Sequence, residues 1–554
     1  MLTKTRIKMK NIKLTIAILI MAIGMQSCND DFLDREPLDA ISDTNFWQNE
    51  EQLLLAVNGT YDFIKGKNTV DMENMADNTV WPTQTNYRLI STGNYNNDLG
   101  TLNTEWTQAY EGIRRCNHFL ENYDKAEMPN EDLKRRYAGE VRFIRAYLYS
   151  YLTFLFGDVP HITKALNVGD PEIYGPRDSR DGIVSWILDE LTAIAEDLPE
   201  SYGAQDYGRI TKGTALGWKS RVALFYEKYD VAESAARQVM DLGVYELYPD
   251  YYELFMTESD ASQTTSNRET MFSRIYTTDI SMHNLSREIH VPDQSARWNP
   301  TKSLVDSYLC IDGKIIQDSP LYNETTYDSL FEHRDPRMKM TILSPGSLWG
   351  GREDGNPENT DNTIFTAPKF NQDRQGSVTP TGYYFTKYCD LDAVPTYNRD
   401  ENDIIIMRYA EILLNYAEAK LEQGTLTQDD LDQTINLLRE RVGMHPMIIS
   451  ELASWGMDLR EEVRRERRIE LVLEGQRYFD ILRWKSGDLL ARDVKGIKKE
   501  FIIRQNDVEN VPTDEDGYII FLSGNTFDDS KHYLWPIPLA QRDLNPNLSQ
   551  NPNW

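Results

Sequence analysis

Over residues 137–156 the apolar positions Tyr137, Val141, Ile144, Leu148, Tyr151 and Leu155 recur at steps of three and four, the spacing that turns one stripe of a helix toward a core. Gly157 and Pro160 follow as stop signals. The same periodicity predicts helices over 214–229, with Trp218, Val222 and Phe225 on one face, over 407–422 and over 431–442. Gly424 and a few polar residues separate the last two, which is helix-turn-helix spacing. The residues 224–227 followed by 231–236 also read as helix, turn, helix. Small residues at Ala215, Ala223, Ala235, Ala417 and Ala419 stand where such hairpins pack closely. Each hairpin buries its apolar face on the next, so the pattern predicts tetratricopeptide-like units with an irregular period.

Between 257 and 403 the helical period disappears. Polar runs, many Asn and Thr, and Gly346, Gly350, Gly351 and Gly355 take its place, which predicts long loops with a few short strands carried on the helical body. Long ordered loops on a rigid scaffold are where binding tends to be placed. The expected fold class is therefore mainly α, a scaffold of tetratricopeptide-like hairpins with a loop-rich region. Two parts are expected, 28–256 and 257–554, packed as one globular body. The basic-looking stretch REEVRRERRIEL at 460–471 belongs to the scaffold: residues 458–470 hold five Arg and five Asp or Glu, and Glu461 is spaced for helix-surface ion pairs with Arg464 and Arg465, beside Trp484.

The chain opens differently. Lys4, Arg6, Lys8, Lys10 and Lys13 precede an apolar run over 14–25 that ends at Ser27-Cys28, the layout of a secretory signal peptide over 1–27. The run is short of the ~20 apolar residues a spanning helix needs. Met25-Gln26-Ser27-Cys28 resembles the box of a bacterial lipoprotein signal, whose cysteine is lipidated; a plain secreted protein with a spare thiol is the alternative. More than one acyl chain on Cys28 gives stable anchoring, at about 0.8 kcal/mol per buried methylene. Asn29-Asp30-Asp31 resembles the acidic tag that sends such lipoproteins to the cell surface in Bacteroidetes.

Charge and cysteine usage narrow the chemistry. The formal net charge is −29, and removal of the basic presequence makes it more negative. Such a surface repels polyanions, which argues against nucleic acid and, less strongly, against heavily sulfated or uronate-rich ligands unless a local basic patch overrides it. Besides Cys28 only Cys116, Cys310 and Cys389 occur, far apart, so neither a disulfide framework nor a thiolate metal site is expected. H-E-x-x-H, G-x-S-x-G and G-x-G-x-x-G are absent, and 208–213 reads G-x-x-x-x-G but continues Thr214-Ala215 where a phosphate loop needs Lys and Ser or Thr. No carboxylate pair is marked for glycoside hydrolysis, which needs only two. No cofactor is expected; a structural cation such as calcium stays open, because Asp514-Glu515-Asp516-Gly517 is a polar turn without calcium-loop spacing.

Four blocks then carry a resemblance: GEVRFIRAYLYSYLTFLFGDVP (139–160), MRYAEILLNYAEAK (407–420), RRERRIELVLEGQRYFDILRW (464–484) and YLWPIPLAQRDLNPNLSQNPNW (533–554). Together with the lipoprotein start, their order and spacing resemble the SusD and RagB lipoproteins of Bacteroidetes outer membranes. Gln541 and Asn553 depart from residues common there. The blocks themselves are structural: Glu411, Tyr416 and Glu418 fall on a predicted helix, and Trp535-Pro536-Ile537-Pro538 reads as a rigid extended segment.

The resemblance implies a non-enzymatic, surface-exposed lipoprotein that captures oligosaccharide or polysaccharide and delivers it to a SusC-like TonB-dependent barrel transporter in the outer membrane. A RagB-like peptide-uptake protein is the alternative, and a glycoside hydrolase a more distant one. It also implies that glycan rests on aromatics of the loop after the first helix and of the irregular region. A sugar ring needs an aromatic face for its C–H groups and polar partners for its hydroxyls. The first loop supplies Asp77, Asn78, Trp81, Gln84, Asn86, Tyr87, Arg88 and Tyr95, and the middle region Tyr276, His283, Trp298, Asn299 and Trp349. Trp81, before Pro82 and among polar residues, is the leading candidate, followed by Trp298, Trp349 and Tyr87. Trp47, Trp106, Trp186, Trp218 and Trp484 lie in helical patterns and are assigned to the core.

Overall fold

The computed structural model describes residues 46–554 apart from 261–263, 265, 293, 352–362 and 371–375. The presequence, Cys28 and the acidic tag lie outside the described residues. Helices dominate: α1 (Glu50–Tyr61), α2 (Asn68–Asp71), α3 (Asn86–Ser91), α4 (Gly100–Asn122), α5 (Glu131–Phe156), α6 (Arg180–Ile194), α7 (Lys212–Phe225) and α8 (Tyr229–Asp241) come first, and α9 (Tyr409–Glu422) and α10 (Leu459–Glu470) follow the irregular region.

Local chemistry sets the ends. Asn130 caps α5, its side chain accepting from Leu133 N–H, and Gly157 stops it with φ 74°, a conformation glycine adopts without a Cβ clash. Thr211 and Thr214 form a reciprocal capping box at the start of α7. The predicted helix over 214–229 therefore begins earlier and ends at Phe225, where a tight turn leads into α8. Met407 belongs to a strand, so the predicted helix over 407–422 begins at Tyr409, and the one over 431–442 is broken into Gln428–Asp432 and Ile435–Arg441.

Successive helices pack as hairpins, α4 on α5, α5 on α6, α6 on α7 and α7 on α8. The main partners of α9 are α8 and α10, not the 431–442 segment suggested by hairpin spacing. Ala232, Ala235 and Ala236 of α8 and Ala410 and Ala417 of α9 are fully buried, and small side chains allow that close approach. One apolar core runs from Trp47 through Trp106, Phe143, Tyr147 and Trp218 to Phe479 and Trp535. Trp186 and Trp484, assigned to the core, are only half-buried, covered by the Arg145 guanidinium and by those of Arg464 and Arg483 respectively. The cysteines Cys116, Cys310 and Cys389 are buried free thiols.

The irregular region departs most from expectation. β1 (Thr79–Val80) pairs with β3 (Asn299–Pro300), and β2 (Thr270–Arg274) pairs antiparallel with β6 (Ile404–Arg408), closing the base of the whole excursion. The hairpin of β4 (Leu348–Trp349) and β5 (Thr363–Ile364), and that of β7 (Val494–Lys498) and β8 (Tyr518–Leu522), are separate two-stranded pieces. The region is not a set of loops laid over the scaffold. It encloses a core of its own, including Trp298, Trp349, Tyr383, Tyr384 and Phe385, which closes on Ile469 and Val472 near the end of α10.

Helix α10 carries a second correction. Glu461 makes neither of the expected pairs; its backbone N–H is taken up by the Asp458 cap. Instead Glu466, Arg467 and Glu470 are buried, and Glu470 sits among Arg337 (2.8 Å), Arg408 (2.7 Å) and Arg441. Burial alone raises a carboxyl pKa, yet Arg441, Arg408 and Arg337 hold Glu470 far below the usual range. The inner face of the helix is an ionic spine, while its outer face keeps the expected contact beside Trp484, with Arg464 4.8 Å over that ring, and an i,i+3 pair between Glu462 and Arg465.

Candidate functional site

The β1–β3 ladder builds the site. Thr79 lies opposite Pro300 and Val80 opposite Asn299, so Trp81, just past β1, and Trp298, just before β3, arrive at the same end of an antiparallel pair. Their rings meet edge to face with centroids 5.2 Å apart. Trp298 has 0% exposure, while Trp81 is half-buried. Trp298 is thus a brace under Trp81 and not a ligand-facing platform, a correction that follows from its place on the inner side of the ladder.

Arg88 holds the Trp81 loop from below, its Nη1 donating to the carbonyls of Trp81 (3.3 Å) and Pro82 (2.9 Å). Its guanidinium also lies 5.2 Å over the Phe521 ring, so its role is positioning. Above the indoles sit two cations the sequence did not single out: Arg297 lies 5.6 Å over Trp81 and Lys67 4.8 Å over Trp298. Glu288 joins them, 2.8 Å from Lys67 and 3.6 Å from Arg297, and Asp71 adds a second carboxylate 3.2 Å from Lys67. Burial works against the charge on Lys67, but Asp71 and Glu288 outweigh it and raise its pKa.

Tyr276 extends the surface. Its Oη accepts the Lys67 backbone N–H (3.0 Å), its own N–H donates to Asp403 Oδ1 (3.0 Å), and its ring stands edge-on to His283 at 4.5 Å. Burial lowers the His283 pKa to about 4; the neutral ring donates from Nε2 to the Asn402 carbonyl and accepts Leu285 N–H at Nδ1. His283 is therefore a buried support. Gly66 permits this contact: a Cβ there lies 2.2 Å from Tyr276 Oη. Lys65, Lys67, Glu105, Tyr151, Arg274 and Tyr276 border a cleft of about 390 Å³, with Lys65 paired to Glu105 at 2.6 Å. Tyr87 is half-buried, and burial together with Glu105 and Asp71 raises its pKa, so it remains a neutral phenol.

The other candidates separate. Asp77 is an ion-pair anchor to Arg477 (2.7 Å) and Arg468 (3.1 Å) with almost no exposed side chain; despite its burial these arginines push its pKa down. Asn78 and Asn299 are buried and spend their amides on Glu73, and on the Val80 and Ala296 carbonyls. Trp349 has 0% exposure, boxed by His290, Phe365 and Tyr384, so its ring is core and not a stacking surface. Tyr95 packs against His532 and Trp554 near the C-terminal block, with its hydroxyl buried, which removes it from the platform. Asn86 is exposed at the start of α3, as is Gln84 before it. Tyr397 is 68% exposed and belongs to the loop whose Asp400 exchanges backbone hydrogen bonds with His283 (3.0 and 3.1 Å). Lys67, Glu288 and Arg297 carried no sequence signal beyond the adjacency of Arg297 to Trp298.

The arrangement offers an aromatic face, a rim of charged hydrogen-bond partners and a neighbouring cleft. Comparison with known proteins places the chain. A model described as the SusD family matches residues 254–554, and one described as starch-binding associating with outer membrane matches 31–224. The chain belongs to the SusD family. SusD-like protein P2 of Formosa agariphila is 24% identical across 98% of this chain and 99% of its own length. The starch-binding protein SusD of Bacteroides thetaiotaomicron is 27% identical over 44% of this chain and 48% of its own length. Among solved structures, a SusD-like carbohydrate binding protein of Bacteroides fragilis superposes with a TM-score of 0.78 at 27% identity, covering 91% of this chain and all of that one. A surface glycan-binding protein A of Bacteroides fluxus shares the fold, with a TM-score of 0.63 at 19% identity. The mainly helical SusD-like architecture expected from the sequence is thus the observed one.

Proposed function

We propose that this SusD-family chain is a glycan-binding protein of the outer membrane, anchored at the cell surface through lipidated Cys28, that passes oligosaccharide to a SusC-like TonB-dependent barrel. The observation carrying the binding reading is the half-buried Trp81 indole, braced edge-on by Trp298 and bordered by Arg297, Lys67 and Glu288. An indole face takes the C–H side of a sugar ring, and the charged rim takes hydroxyls. The relatives named starch-binding and carbohydrate binding support the same class of ligand. Tyr276 at the cleft side and the half-buried Tyr87 extend the surface, with Arg88 positioning Trp81.

The test is binding of the protein lacking residues 1–28 to a panel of plant and mucin-type glycans and to a peptide pool, with Trp81→Ala beside the parent. Glycan binding by the parent, weakened in a folded Trp81→Ala protein, is the expected result. Peptide binding without glycan binding replaces it with peptide uptake, and shortening of a polysaccharide during the assay replaces binding with hydrolysis. Co-purification of the full chain with a TonB-dependent barrel, and palmitate labelling lost in Cys28→Ala, test the partner and the anchor.

A further inference from the structure

The ladder that carries Trp81 has a second cavity at its other end. Thr79 and Val80 of β1, and Thr301 and Lys302 just beyond β3, line a space of about 1110 Å³, nearly three times the volume of the cleft beside Tyr276. Thr79 is two residues from Trp81, about 7 Å along an antiparallel strand. Thr301 N–H donates to the Asn78 carbonyl at 3.0 Å, so the pairing continues past the named strands and holds platform and cavity on one rigid piece of backbone.

The opposite wall is built of phenols and carboxylates. Tyr518 donates its hydroxyl to Glu324, whose carboxylate, after burial, also raises the pKa of Tyr322. Lys302 stands 4.0 Å over the Tyr518 ring and 2.5 Å from Asp306. Every basic side chain at the wall faces a carboxylate: Lys302 with Asp306, Lys495 with Asp514 (2.8 Å), Arg468 with Asp77 (3.1 Å), Arg465 with Glu462 (3.1 Å) and Arg492 with Asp488 (2.6 Å). Among the described residues a polyanion finds no unpaired cation here, and Asp493 and Asp516 add negative charge to the lining. What remains on offer is a dense set of fixed donors and acceptors around phenol rings, the surroundings a neutral polyhydroxylated ligand needs.

We propose that this cavity is a second subsite for the same ligand, taking a neutral segment of an oligosaccharide whose other end rests on Trp81. The inference depends on the glycan-binding reading of the platform and adds a length requirement and a charge preference to it.

The experiment is calorimetric titration of the protein lacking residues 1–28 with malto-, cello-, xylo- and mannooligosaccharides of graded length, and with polygalacturonate and chondroitin sulfate fragments. Parent, Trp81→Ala and Ser303→Trp are compared, Ser303 being an exposed residue at the cavity wall where an indole obstructs entry. Tyr518→Phe, which removes one hydroxyl, serves if Ser303→Trp lowers the unfolding temperature. The expected result is affinity for neutral fragments that keeps rising with length, is indifferent to salt, and falls about tenfold for long but not short fragments in Ser303→Trp, while Trp81→Ala weakens both. Unchanged binding of long fragments in both cavity variants, or acidic fragments binding more tightly than neutral ones, overturns the subsite and leaves the platform standing. If the parent binds no oligosaccharide, the platform reading falls and the subsite with it.

Discussion

Two clusters in this protein are built from the same materials, and only one is available to a ligand. Around α10, Arg408 reaches Glu269, Glu470 and Glu474 at 2.7–2.8 Å with no exposed side-chain surface, packed over Tyr251 and Phe255. Around Trp81, Lys67, Arg297, Glu288 and Asp71 make a similar set of pairs over indoles, but Arg297 keeps 38% of its side chain exposed. In the first cluster each carboxylate is saturated by cations; in the second the pairs are looser and one aromatic is open. Exposure and unsaturation separate a site from a strut here, and residue type does not.

The comparison predicts its largest effect in the spine. Arg408→Ala removes the cation that buried Glu269, Glu470 and Glu474 share, and removing one partner of a buried ion network costs about 3–5 kcal/mol. Unfolding by denaturant is expected to shift by that amount or the protein to fail to fold. Arg297→Ala, at the open cluster, is expected to cost no more than about 1 kcal/mol. Comparable losses for the two variants break the distinction.

Next come the two indoles. Trp298→Ala removes a fully buried ring, and such truncations cost about 3–5 kcal/mol, so stability and binding fall together. Trp81→Ala is expected to leave the unfolding midpoint nearly unmoved while weakening glycan binding by about 2 kcal/mol, the scale of an interface anchor. Equal stability losses place Trp81 in the core with its neighbour.

The helices were legible because a buried stripe repeats every three or four residues, and α5, α7 and α9 each show it. The ionic spine was not, because Arg460 to Glu470 has the composition of a solvated face; only the arrival of Arg337 and Arg408 from distant segments makes it internal. The same holds for the site. Trp81 was found as an aromatic in a polar loop, but Trp298, Trp349 and Tyr95 satisfied the same rule and are packed away. The burial of Trp298 and Trp349 depends on strand register and on the closing of β2 against β6, and that of Tyr95 on His532 and Trp554 arriving from the C-terminal block, contacts between residues far apart in sequence. Lys67 and Glu288 meet at the indoles from segments more than two hundred residues apart, Lys67 held there by Tyr276 Oη.

A smaller effect tests the acidic support behind Tyr276. Burial and the neighbouring Asp403 raise the Asp260 pKa to about 9, and burial raises that of Asp403 to about 7. A carboxyl whose folded pKa exceeds its unfolded value favours folding fully below the unfolded value, and that contribution is lost as pH rises through the folded one. Stability is therefore expected to fall between about pH 4 and pH 9 at this pair. Asp403→Asn keeps the acceptor for Tyr276 N–H and removes the repulsion; it is expected to stabilise the protein at pH 8 by on the order of 1–2 kcal/mol, and to have little effect at pH 4. A pH-independent change assigns the effect to packing instead.

The finest test concerns Gly66. A Cβ at that position meets Tyr276 Oη at 2.2 Å and Arg274 Cγ at 3.1 Å, so Gly66→Ala forces the phenol away from the Lys67 N–H. The displaced atom is the tip of a half-buried ring, and the loss is one hydrogen bond, about 1 kcal/mol of stability. If Tyr276 belongs to the binding surface, Gly66→Ala lowers glycan affinity several-fold, and Tyr276→Ala lowers it at least as much. If Tyr276 is only a wall of the cleft, both variants lose a little stability and bind as the parent does. That outcome confines the open cluster to Trp81 and its charged rim, and makes the tyrosine a strut like those around α10.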